Sequence, residues 1–157
     1  MIAETIDAFA ETLPRHGPLA GLDLGTQTIG VAVSDGFRRV ASPLETIKRK
    51  KFGTDARQLL DICTAREIAG LVLGLPLNMD GSEGPRCQST RAFARNLQGL
   101  TDLPICFWDE RLSTVAAERA LLEADTSRKR RAEVIDHVAA SYSLQGALDR
   151  LAHLETQ

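Results

Sequence analysis

Three apolar runs of strand length follow one another early in the chain: Leu19–Leu24, Ile29–Asp35 and about Arg39–Ile47. Only a few polar residues separate them, and connections this short permit antiparallel neighbours only. The three runs therefore read as a meander. From Thr54 onward the pattern alternates. Thr54 is placed to cap a helix that carries Ala56, Leu59, Leu60, Ile62 and Cys63. Ile68–Leu75 reads as a buried strand, 76–85 as a polar loop, and 86–98 as a helix with Phe93, Ala94 and Leu97 on one side. Pro104–Trp108 is another strand. Ser113 or Thr114 starts a helix through Ala116, Ala117, Ala120, Leu121 and Leu122, and 132–152 is the last helix. Strands joined through helices are expected to be parallel. The order βββαβαβα, with one further helix, predicts an α/β fold with a mixed five-stranded sheet flanked by helices.

Residues 1–18 precede this pattern. Ile2, Ile6, Phe9 and Leu13 recur at helical spacing before Pro14 and Gly17–Pro18 break it. The expected organisation is an amphipathic extension, 1–18, followed by one domain, 19–154. A length of 157 residues suits one domain. Glu4, Asp7 and Glu11 interrupt the start, so a secretory signal is not expected, and no apolar run approaches a membrane span. Cys63, Cys87 and Cys106 form no CxxC pair, which fits neither a disulfide framework nor a zinc site. Reduced thiols in a cytoplasm are the simplest reading. Cys63 and Cys106 lie in apolar stretches, whereas Cys87 follows a turn and is expected at the surface.

The formal net charge of −2 argues against coating nucleic acid by bulk charge. Two local basic runs stand against that background, Lys48–Lys51 and Arg128–Arg131. Taken alone, each reads as a solvated loop.

Carboxylates carry the chemical signal. Asp23 lies inside an apolar strand, where a charge costs several kcal/mol unless it is paired or coordinated. Asp109 and Glu110 stand where the last strand leaves the sheet. Successive strand residues face opposite ways, so only one of the two can join Asp23. Asp136 lies on the last helix among apolar neighbours, with Glu133 as a rival one turn earlier. Ligands of open α/β sheets bind at the C-terminal strand edge. If the first and last of these strands are neighbours, Asp23 and Glu110 meet there, and a helix across that edge adds Asp136. Carboxylates gathered at one point repel one another, and hard divalent cations relieve that repulsion through oxygen ligands. Two such ions about 3.5–4 Å apart activate water and stabilise a leaving oxygen in phosphodiester hydrolysis. His16, His137 and His153 show no metal-ligand spacing. His137 reads as a surface or structural histidine. The loop Gly74–Gly81 has turn chemistry at Asp80–Gly81 and also suits a phosphate- or base-contacting loop.

Asp23-Leu24-Gly25-Thr26-Gln27-Thr28-Ile29-Gly30 resembles the first strand turn of the RNase H-like superfamily. Gly74-Leu75-Pro76 running into Asn78-Met79-Asp80-Gly81 narrows the resemblance. So do Asp109-Glu110-Arg111-Leu112-Ser113-Thr114 and a basic run before Ile135-Asp136-His137-Val138-Ala139-Ala140. Together these segments, spanning about 19–150, are similar to the YqgF/RuvX family, described as pre-16S rRNA nucleases and as Holliday junction resolvases. The resemblance implies an RNase H-like fold. It implies that Asp23, Glu110 and Asp136 are the catalytic, metal-holding triad, favouring Glu110 over Asp109 and Asp136 over Glu133. It also implies a two-metal Mg²⁺ or Mn²⁺ site and a phosphodiester endonuclease of the bacterial cytoplasm, acting in 5′-end maturation of pre-16S rRNA. Thr26, Asn78, Arg111, Lys129, Arg130 and Arg131 are then expected on the substrate side. The expected partner is structured RNA, with branched DNA as the alternative, and the expected assembly is a monomer or weak homodimer. Three other classes compete. A Holliday junction resolvase keeps the chemistry but requires paired sites. A non-catalytic ribosome-assembly or transcription factor keeps only the fold. An actin-like kinase needs two domains to close over a nucleotide, which one domain of this size cannot supply.

Overall fold

The computed structural model describes residues 1–112 and 128–156, with the backbone alone for 128–136. In chain order the elements are β1 (Ile2–Ala3), α1 (Ile6–Thr12), β2 (Leu19–Leu24), β3 (Thr28–Ser34), β4 (Ala41–Lys48), α2 (Phe52–Ala65), β5 (Gly70–Leu75), α3 (Pro85–Gln98), β6 (Ile105–Asp109), a 3-10 turn (Glu110–Leu112) and α4 (Arg128–Glu155). The sheet order is β1-β6-β5-β2-β3-β4. The expected meander forms, with β2–β3 and β3–β4 antiparallel. The strands reached through helices, β5 beside β2 and β6 beside β5, are parallel.

The sheet holds six strands where the sequence pattern predicts five. The addition is β1, two residues paired in parallel with β6 through Ile2↔Ile105 and Ala3↔Cys106. A strand of two residues is too short to show any alternation. The helix expected behind it does form. The Thr5 hydroxyl caps it by accepting the Ala8 N–H at 3.1 Å, and Phe9 on its inner side is fully buried. Arg91 fastens this end of the chain, pairing with Glu4 at 2.9 Å and Glu83 at 2.6 Å.

Strand alternation divides the core between the two faces of the sheet. Leu22, Leu24, Leu71, Leu73 and Leu75 pack with Leu59 of α2 and with Phe93, Ala94 and Leu97 of α3. Leu19, Val72, Cys106 and Trp108 face the other way, against Ala140, Leu144, Ala147 and Leu148 of α4 and Phe9 of α1. Helix α4 lies close because Gly21 leaves room. A Cβ there would stand 2.7 Å from the Leu144 Cβ and 2.9 Å from the Ala140 carbonyl oxygen. On the edge strand β4, Pro43 sits beside a register shift, a place where the missing N–H costs nothing.

Three local expectations change. The Arg128–Arg131 run, read as a loop before a helix at 132–152, already belongs to α4 by its backbone. Thr54 does not cap α2. The helix begins at Phe52, and the Asp55 carboxylate reaches back to accept the Lys50 N–H at 3.0 and 3.2 Å. Cys87 is fully buried, because it shares the inner face of α3 with Thr90, Phe93, Ala94 and Leu97. Burial pushes the Cys63 thiol up to about 11 and raises those of Cys87 and Cys106 as well, so all three are protonated at neutral pH. The helix expected through Ala116–Leu122 lies outside the described residues.

Candidate active site at the C-terminal edge of the sheet

Asp23 is the penultimate residue of β2, one residue after the pair Leu22↔Leu73, so it stands level with Gly74 on β5. Gly21, two residues earlier, faces α4, and strand alternation turns Asp23 to the same face. Its residue is 1% exposed. Gly74 also faces α4. A Cβ on Gly74 would meet Glu110 Oε1 at 2.6 Å and Ser143 Oγ at 2.9 Å. The Glu110 carboxylate therefore lies over the Gly74 backbone, beside the strand that carries Asp23. Adjacent strands are about 4.8 Å apart, so two buried carboxylates share one face of the sheet edge.

Asp109 and Glu110 have different surroundings. Asp109, the last residue of β6, faces the loop and accepts from Arg111 Nη2 at 2.7 Å. That guanidinium holds the Asp109 carboxyl below the usual carboxylate range. Glu110 opens the 3-10 turn, which swings its side chain inward, and it is buried. The third expected acid, Asp136, belongs to α4 by its backbone, and its side chain lies outside the described residues. Register fixes the level of that backbone. Asp23 pairs with Gly30, Gly30 pairs with Thr46, and Thr46 Oγ1 shares a hydrogen bond with His137 Nδ1 at 3.0 Å. Position 136 on α4 is thus level with Asp23, one helical turn before Ala140, which adjoins Gly21.

The expected substrate-side residues are more scattered. Thr26 is exposed in the β2–β3 turn. Asn78 donates from Nδ2 to Ser82 Oγ at 3.0 Å, within a loop that Asp80 also braces through the Ser82 N–H and hydroxyl. Arg111 joins Asp109 to this loop, with Nη1 donating to the Met79 carbonyl at 3.4 Å. The Lys129, Arg130 and Arg131 side chains lie outside the described residues.

The contacts of four residues at this edge escaped the sequence reading. Gly74 gave a signal, since glycine inside a strand marks a close approach. Ser143 gave none. It is fully buried, and its Oγ has no hydrogen-bond partner among the described residues. Arg49 Nη1 donates to the Gly25 carbonyl at 2.7 Å, and Arg86 Nη2 donates to the Leu24 carbonyl at 3.1 Å. These contacts span 24 and 62 residues of sequence, so no local pattern announces them.

Among the described residues, no three His, Cys, Asp or Glu side chains cluster as a metal site. The donor set at the edge nevertheless fits a hard divalent cation. Asp23 and Glu110 offer oxygen ligands on one buried face, the donor type such an ion prefers.

Comparison with known proteins agrees with this architecture. Residues 17–150 match a family model described as "RuvX: Holliday junction resolvase". A protein of Ruegeria pomeroyi named "Putative pre-16S rRNA nuclease" is 75% identical over 154 residues, covering 98% of this chain and 100% of the relative. A protein of the same name from Paracoccus denitrificans is also 75% identical over 154 residues, covering 98% of each. Among solved structures, Thermus thermophilus RuvC bound to a Holliday junction aligns with a TM-score of 0.55 at 14% identity, over 90% of this chain and 98% of that one. That likeness speaks for the fold alone, which is the RNase H-like fold of these resolvases.

Proposed function

Because the chain belongs to the RuvX family, we propose that it is a divalent-metal-dependent endonuclease that cleaves pre-16S rRNA in the cytoplasm, in maturation of the 5′ end. The observation that carries this reading is the pair of buried carboxylates, Asp23 and Glu110, on one face of the C-terminal sheet edge. Burying two like charges together costs several kcal/mol each, a cost that a bound cation offsets. Asp23, Glu110 and Asp136 would hold Mg²⁺ or Mn²⁺. When bound, such ions make a water nucleophilic at neutral pH and stabilise charge on the phosphoryl and leaving oxygens.

The protein's own part is to place and hold these ligands. Asp23 sits on a central strand, hydrogen-bonded on both sides, so its Cα has little freedom. Glu110 is set by the 3-10 turn and by the space above Gly74. The Asp109–Arg111 pair, joined to the Met79 carbonyl, fixes the loop beside the edge.

A second reading, cleavage of four-way DNA junctions with the same carboxylates, is favoured by the description of the family model. One assay separates the two. A 16S rRNA precursor fragment and a four-way DNA junction are offered with Mg²⁺, with Mn²⁺ and with chelator, to the parent and to Asp23→Asn. The expected result is metal-dependent cutting of the RNA, abolished in the variant while its unfolding transition persists. Cutting of the junction alone would replace RNA by DNA as substrate. Undiminished cutting by Asp23→Asn would overturn the site assignment.

A further inference from the structure

The two guanidinium groups that meet the turn after Asp23 come from separate parts of the fold. Arg49 leaves the end of β4, where its backbone N–H also donates to the Gln27 carbonyl at 2.9 Å. Arg86 belongs to the first turn of α3, at the end of the loop that follows β5. They donate to consecutive carbonyls, Gly25 and Leu24, immediately beyond Asp23. Each contact uses one N–H of a group that has five. Lys48, Lys50 and Lys51 are exposed alongside Arg49, and Arg86 is itself exposed. Of the acids nearby in sequence, Asp55 is buried on the Lys50 N–H and Glu83 is bound to Arg91, while Glu45 is exposed further back on β4, opposite Val31. The basic run at Lys48–Lys51, which reads as a solvated loop from sequence alone, is thus brought to the same sheet edge as the buried carboxylates.

We propose that Arg49 and Arg86, with Lys50 and Lys51 beside Arg49, form a phosphate-binding bracket that grips the backbone of a nucleic-acid strand next to the bond cut at Asp23. This rests on the nuclease reading and adds the surface that reads the substrate's charge. A guanidinium already tied to a carbonyl by one N–H is partly ordered, and its planar fork loses less entropy for each further hydrogen bond it forms. The bracket recognises phosphodiesters whatever the bases. It therefore supplies affinity and strand placement, leaving sequence or shape to be read elsewhere.

The test measures binding apart from cleavage. The protein, held in chelator, is titrated by fluorescence anisotropy against the rRNA precursor fragment and against the four-way DNA junction, across a series of KCl concentrations. Arg49→Gln/Arg86→Gln and Lys50→Gln/Lys51→Gln are compared with the parent and with Arg66→Gln. Arg66 lies at the far end of α2 and controls for the loss of one positive charge away from this edge. The expected result is several-fold weaker binding of the preferred nucleic acid by the two double variants. The slope of log K against log[salt] should fall by about 0.7–0.9 for each phosphate that is no longer neutralised. Arg66→Gln should keep the parental slope. If the arginines only support the turn, the double variants will cut slowly in Mg²⁺ yet bind with the parental slope, and the bracket is refuted. An equal weakening in Arg66→Gln would also refute it. A parent that binds neither nucleic acid would overturn both the bracket and the nuclease reading.

Discussion

Gly74→Ala should separate function from stability at the proposed site. The new Cβ would stand 2.6 Å from Glu110 Oε1 and 2.9 Å from Ser143 Oγ, where ordinary contact begins at 3.4 Å. Restoring that contact moves the glutamate oxygen by about 0.8 Å. The displaced atoms are the ends of side chains, which yield by rotation, so the fold should lose only about 1 kcal/mol, the low end for overpacking. In a domain of this size that lowers Tm by about 2–4 °C. A misplacement of about 1 Å at a reacting centre costs roughly 10²-fold in rate. Cleavage of the rRNA precursor should therefore fall ten- to a hundredfold in a protein that melts almost normally. Gly21→Ala is the matched control, with a Cβ 2.7 Å from the Leu144 Cβ and 2.9 Å from the Ala140 carbonyl. A helix backbone cannot swing aside, so this variant should lose about 3 kcal/mol or more. The assay is single-turnover cleavage beside thermal unfolding for both variants. Full cleavage activity in Gly74→Ala would refute the claim that Glu110 must occupy the space above this glycine.

Other outcomes follow from single side chains. Ser143 buries a hydroxyl whose Oγ has no hydrogen-bond partner among the described residues, so Ser143→Ala should leave Tm unchanged or raise it in a thermal melt; a drop of several degrees would contradict that account. Asp35 accepts the Val40, Arg39 and Phe37 backbone N–H groups at 2.8, 2.8 and 3.2 Å, and these bonds hold its carboxyl below the usual range. Its folded pKa is depressed, so its contribution to the β3–β4 turn is present above the unfolded value of about 3.9 and is lost as pH falls through the folded value. NMR titration of those three amides should show a midpoint below 3.9, and a midpoint at or above it would contradict the assignment.

Much of the architecture was legible because it depends on local pattern. Long apolar runs such as Gly70–Leu75 announce strands, and the lengths of their connections dictate which neighbours run parallel. The pair Ile2–Ala3 is a strand only because β6 has an open edge beside it, a fact of tertiary structure. Asp23 was legible for an energetic reason, as a charge inside an apolar run. The pair Asp109–Glu110 was ambiguous, because alternation says that the two diverge without saying which turns inward. The structure sends Asp109 to Arg111 and Glu110 to the space over Gly74. Arg49 and Arg86 were illegible as partners of the Asp23 turn, since only the folded sheet brings them to it. Cys87 misled because a turn precedes it, although its helical spacing with Thr90, Ala94 and Leu97 decides its burial.

The most direct measurement of the central claim is anomalous scattering from crystals of the protein soaked in Mn²⁺. The account predicts Mn²⁺ at the C-terminal sheet edge, liganded by Asp23 and Glu110 with Asp136 of α4, and its disappearance from Asp23→Asn crystals. Mn²⁺ that binds only elsewhere, or that persists at this edge in Asp23→Asn, would contradict it.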